Sequence, residues 1–125
     1  MYQILVYHTP KGNNPLGKFF RDLTKKNKQD EITLIKSMIY DLANMGLEID
    51  KKYKNAIKPM GDKIYELRPK NYRVFFFFFY NDTIYLLNGF EKKTNKTPKN
   101  ELDIARKYKK EIEQSIKGNK CYERF

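Results

Sequence analysis

The stretch Ile64-Tyr65-Glu66-Leu67-Arg68, Tyr72-Arg73-Val74, the five phenylalanines 75–79, Ile84 through Phe90, and Lys92-Lys93 decides the fold. It is dominated by apolar, β-branched and aromatic residues and is punctuated by Pro69-Lys70-Asn71 and by Asn81-Asp82. It therefore reads as three consecutive antiparallel strands, at about 63–68, 72–80 and 83–91. Asn81-Asp82 reads as a two-residue hairpin turn. The phenylalanines do not alternate with polar residues, which predicts a central strand covered or half-covered on both faces and makes them core. Cations bracket this greasy run: Arg68 and Arg73 at one turn, Lys92 and Lys93 after the last strand.

Working outward, residues 2–7 are β-branched and aromatic and run into the turn cluster His8-Thr9-Pro10-Lys11-Gly12, which predicts a first strand. Asn14 as N-cap and Pro15 at the first helical position open a helix with Leu16, Phe19, Phe20 and Leu23 on one face. Asp30 is placed to cap a second helix, with Ile32, Ile35, Ile39, Leu42 and Met45 as its stripe and Gly46 as its stop. The short connection predicts an antiparallel helical hairpin. Residues 47–61 read as a polar connector carrying Lys51, Lys52, Lys54 and Lys58, broken by Pro59 and Gly61. Thr97 as N-cap and Pro98 at the first position open the last helix, striped by Leu102, Ala105, Tyr108, Ile112 and Ile116 and stopped by Gly118. Residues 120–125 read as a loosely held tail. The order β-α-α-β-β-β-α implies an α+β domain, with the helical hairpin and C-terminal helix packed on a mostly antiparallel sheet.

A chain of 125 residues suits one domain, 1–125, with one core. Hydrophobic content of 40% and charged content of 33% argue against a disordered chain. The formal net charge of +11 favours a polyanionic partner, nucleic acid ahead of an acidic protein or an anionic membrane surface. The single cysteine, Cys121, excludes an internal disulfide and a multi-cysteine zinc site. The N-terminus has no basic region before its short apolar run, so no signal peptide is expected. The longest apolar stretch, 74–80, is far short of the roughly 20 residues of a membrane span. A cytoplasmic protein with no membrane partner is expected.

The order Ile64-Tyr65-Glu66-Leu67-Arg68, Tyr72-Arg73-Val74, Leu86-Leu87-Asn88-Gly89-Phe90, Lys92-Lys93, Thr97-Pro98 and Ala105 resembles the phage-derived, HigB-like branch of the RelE/ParE toxin superfamily. The likeness covers roughly residues 57–112, and the earlier helical hairpin agrees in kind and order. It implies a RelE-like fold and the toxin of a type II toxin–antitoxin system. Such a toxin is an mRNA endonuclease that inhibits translation, usually by cutting message on the ribosome. The implied mechanism uses neither metal nor cofactor. The implied partners are mRNA, the ribosome and a cognate antitoxin with a helix-turn-helix. Two rivals share the fold or the charge: a non-enzymatic toxin that binds gyrase, and a basic RNA-binding module without catalysis.

Cutting RNA without a metal requires a proton acceptor for the 2′-OH, a proton donor for the leaving 5′-oxygen and cations for the phosphorane. Strand alternation puts Ile64, Glu66 and Arg68 on one face, and the short turn brings Arg73 near Arg68. Arg68, Arg73 and Lys92 are the candidate catalytic set, the guanidiniums as phosphate stabilisers and Lys92 as supporting cation or acid. Lys92 and Lys93 point in opposite directions while on a strand, so one of them at most is central. Glu66 reads as a proton-transfer group or, the plainer alternative, a counter-ion to Arg68 or Arg73. Several superfamily members carry lysine at its position. Arg73 has its own alternative as a salt-bridge partner of Glu66 or Asp62. Lys58, Lys70, Lys93 and Lys96 are candidate RNA-backbone contacts. His8, the one histidine, reads as a solvated or turn-capping residue before a general base, and Tyr65 and Tyr72 as core before base-stacking groups.

Overall fold

The computed structural model describes residues 1–80, 82–93, 98–115 and 122–125, with 122–124 as backbone. Chain order is β1 (Gln3–Tyr7), α1 (Pro15–Lys25), α2 (Gln29–Met45), a 3-10 turn (Gly46–Lys51), β2 (Ile57–Gly61), β3 (Ile64–Leu67), β4 (Tyr72–Phe79), β5 (Thr83–Glu91), α3 (Lys99–Gln114) and β6 (Tyr122–Arg124). The strands form one sheet in the order β2-β3-β4-β5-β1-β6. Every pairing is antiparallel except β1 with β5. This is the α+β architecture anticipated, with the three central strands where the apolar runs lie.

The unbroken phenylalanine run has the expected cause. Tyr72, Val74 and Phe76 belong to the core under α1 and α2, whereas Phe75 and Phe77 belong to the core under α3 with Ala105 and Ile112. Phe75, Phe76 and Phe77 are at most 2% exposed, and each contributes about 1.5–3 kcal/mol by leaving water. Asn14 caps α1 by accepting from the Gly17 amide at 2.9 Å, with Pro15 at the start of the helix.

Several boundaries differ from expectation. The connector 47–61 holds the 3-10 turn and an edge strand, β2, whose Pro59 is tolerated because its strand has a neighbour on one side only. Asp62 and Lys63, at φ 53° and 63°, make the tight β2–β3 turn. Lys28 occupies the N-cap of α2 without a side-chain bond, and Asp30 sits in its first turn, where its charge meets the helix dipole. Pro98 is the N-cap of α3 rather than its first residue. Phe79 pairs with Thr83, and Asn81 of the expected Asn81-Asp82 turn lies outside the described residues. The tail is not loose throughout: Tyr122–Arg124 pairs with β1, and the Phe125 amide donates to the Ile4 carbonyl at 3.1 Å. Thr97, Ile116, Gly118 and Cys121 lie outside the described residues.

The feature that positions the site is a bulge in β5. Val74 pairs with Gly89 and Phe76 with Leu86, so Leu87 and Asn88 together oppose Phe75. The extra residue shifts the alternation by one. Gly89 consequently lies beneath α1, where a Cβ would stand 2.7 Å from the Phe19 ring. Phe90 faces the other side, pairing with Arg73 across the ladder and packing on Phe75 at 5.5 Å between ring centres.

Candidate functional site

At the end of β3, alternation aims Glu66 and Arg68 to the α3 side of the sheet, and Arg73 on β4 points the same way beside them. Glu66 is 1% exposed and Arg73 7%. Glu66 Oε1 stands 3.5 Å from Arg73 Nε and 3.6 Å from Arg68 Nε. The Arg73 guanidinium is fixed further by Nη1, which donates to the Lys70 and Tyr72 carbonyls at 2.7 Å each. Lys70 can present its carbonyl this way because it adopts a left-handed φ of 52°. Lys58 on β2 pairs directly with Glu66. The Lys92 amide donates to the Asn71 carbonyl at 2.6 Å, which ties the end of β5 to the β3–β4 turn.

The Lys92 ammonium interacts with Arg73, Glu66, Arg68 and Lys58. Its proton affinity is lowered from the ordinary 10.5, first by burial, then by repulsion from Arg73, Arg68 and Lys58, against the attraction of Glu66. Burial likewise lowers Arg73, with Arg68 adding to the shift and Glu66 opposing it. Four cations (Lys58, Arg68, Arg73, Lys92) around one carboxylate leave an excess of three positive charges. Such a cluster can hold an anion that accumulates charge, and Lys92 is its group best able to release a proton.

Five of the expected site residues therefore come together: Glu66, Arg68, Arg73, Lys92 and Lys58. Glu66 sits between both guanidiniums as a counter-ion. Lys70 is exposed on the neighbouring turn. Lys93 turns the opposite way from Lys92 and lines a groove against α1 with Lys18, Lys26 and Phe19. Lys96 lies outside the described residues. Asp62 pairs with Arg106 at 2.8 Å, not with Arg73. His8 Nδ1 is 2.9 Å from the Thr9 carbonyl and serves its own turn. Tyr65 and Tyr72 pack in the core on the far face, Tyr72 edge-on to Phe19 at 6.1 Å. Sequence reasoning missed the bulge and the placement of Phe90, although Asn88-Gly89 within a strand is a signal for both. It also missed Asn88 Nδ2 donating to the Glu101 carbonyl at 3.2 Å, which fixes the start of α3 to the bulge.

Among the described residues no three His, Cys, Asp or Glu side chains gather to hold a metal, and no helix is long and apolar enough to cross a membrane. The family described as phage-derived protein Gp49-like (DUF891) matches residues 18–110, a span from α1 to the penultimate turns of α3 that includes the whole cluster. No curated protein matches the chain.

Proposed function

Because the chain belongs to the phage-derived Gp49-like family, and its sheet is of the kind seen in RelE-like toxins, we propose that it is the toxin of a type II toxin–antitoxin pair and cleaves mRNA held on the ribosome. The observation that carries this reading is the excess of three positive charges around the buried Glu66, with Lys92 among them. The 2′-oxygen attacks phosphorus as its proton passes to solvent water, the P–O5′ bond breaks to leave a 2′,3′-cyclic phosphate, and Arg68, Arg73 and Lys58 stabilise the charge that develops on the phosphorane. Lys92 protonates the departing 5′-oxygen, a role its lowered proton affinity suits. Glu66, 1% exposed and held between two guanidiniums, serves as their counter-ion. A cognate antitoxin with a helix-turn-helix would silence the protein by covering this basic face. The protein would work in the cytoplasm, where translating ribosomes are.

The test is induced expression followed by mapping of RNA ends and of chromosomal DNA. Cleavage inside translated frames that disappears in Arg73→Ala is the expected result. Intact message with broken DNA would replace this reading with gyrase poisoning, and RNA binding without cleavage would replace it with a passive RNA-binding module.

A further inference from the structure

We propose that Phe90 is the platform on which an unpaired base rests while the adjoining phosphate is held at Arg73 and Lys92, so that the site takes single-stranded RNA and rejects the duplex. This rests on the reading of the cation cluster as an RNA-cleavage site. Phe90 and Arg73 are direct partners across the β4–β5 ladder, which puts their Cβ atoms about 4.5–5.5 Å apart. Lys92 lies two residues beyond Phe90 and interacts with Arg73, so ring, guanidinium and ammonium share one face. The neighbouring aromatic residues of these strands do not offer an open ring there. Tyr65 and Tyr72 are on the opposite face, and Phe75 and Phe77 are sealed in the core.

Phe90 itself is half-buried. Its inner side rests on Phe75, which holds the ring rigid. The tie from Asn88 to the start of α3 sets that helix over Phe75 and Leu87. The bulge at Leu87–Asn88 is what delivers Phe90 to this face, since strict alternation would have buried it under α1 and put Gly89 beside Arg73. A π-face beside a phosphate site accepts any base, provided the base is not already stacked between neighbours, which is the condition of a single strand.

The experiment measures binding of a short single-stranded RNA, and of a series with one abasic position each, to the wild type, Phe90→Leu and Phe90→Tyr. The wild type is expected to lose about tenfold at one abasic position. Phe90→Leu should bind the intact RNA about tenfold more weakly and show no further loss at that position, while Phe90→Tyr, which keeps the ring, should restore both. An equal abasic penalty in wild type and Phe90→Leu would overturn the platform and leave the cleavage site standing. Failure of the wild type to bind any of the RNAs, free or held on ribosomes, would instead overturn the cleavage reading itself. Thermal unfolding of each variant separates a lost platform from a lost fold, because a collapsed core would lower the midpoint of Phe90→Leu and weaken all RNAs alike.

Discussion

Glu66 and Arg73 form a nearly buried ion pair, Oε1 to Nε at 3.5 Å, with Arg68 on the same carboxylate oxygen and Phe75 as the strand partner of Glu66. Removing the carboxylate leaves Arg73 buried and its repulsion from Arg68 unopposed. Glu66→Ala is therefore expected to lower unfolding stability by about 3 kcal/mol. Glu66→Gln keeps the volume and an acceptor and should cost about half that. Urea titration of the three proteins checks both values; an unchanged midpoint for Glu66→Ala would show that the pair contributes nothing net.

Lys92 makes a prediction in pH. Its folded proton affinity lies below the unfolded value of 10.5, so between the two the unfolded chain binds more protons. Stability should accordingly rise with pH across that window, and the penalty for holding Lys92 charged is fully present below it. For activity the sign is opposite, because an acid must carry its proton. Cleavage is expected to fall as pH rises through the lowered Lys92 value. Lys92→Ala should lose about 10²–10⁴-fold and with it this alkaline limb, whereas Lys92→Arg should keep RNA affinity and move the limb upward. Rate–pH profiles of the three proteins measure this; a limb that persists in Lys92→Ala would assign the proton to another group.

The parts of this fold that the sequence made legible are those with an unambiguous burial pattern. The run Phe75 to Phe79 reads as a strand covered on both faces, as Phe75 to Phe77 are while Phe78 and Phe79 are half-buried, and Asn14-Pro15 reads as a helix start. β2 was hidden because an edge strand half in water carries Lys58 and Pro59 as readily as a loop does. β6 is three residues long and is defined by what it pairs with, Leu5 to Tyr7, not by its own composition. In the cluster, Arg68 and Arg73 could be placed from a short turn and strand alternation. Lys58 required β2, and the facing of Phe90 required a bulge, which one extra residue creates and no periodicity reports.

Gly89 tests that bulge from the α1 side. A methyl there would stand 2.7 and 2.9 Å from two atoms of the Phe19 ring and 3.2 Å from Leu16 Cδ1. Leu16 is 1% exposed and has no room to move, while the half-buried Phe19 can swing outward. Gly89→Ala is expected to cost about 1–3 kcal/mol in urea unfolding. Adding Phe19→Ala should recover part of that loss, so that the two changes together cost less than their sum. Strict additivity would mean that the clash is relieved elsewhere.

RNA affinity should respond to salt in proportion to the phosphates engaged, with a log–log slope of about −0.7 for each phosphate of a single strand. Lys58 is exposed, stands directly across from Glu66 and acts on the Lys92 ammonium, so it is placed to meet the same backbone. Lys58→Ala is therefore expected to flatten the slope by about 0.7 while leaving base preference unchanged, since a point charge reads no sequence. Lys93 faces the α1 groove on the other side of the sheet end. If the strand runs over both sides, Lys93→Ala should flatten the slope by the same amount; if it stays on the cluster side, only Lys58→Ala should. Binding titrations over a range of salt concentrations distinguish the two paths, and an unchanged slope in Lys58→Ala would remove that lysine from the interface.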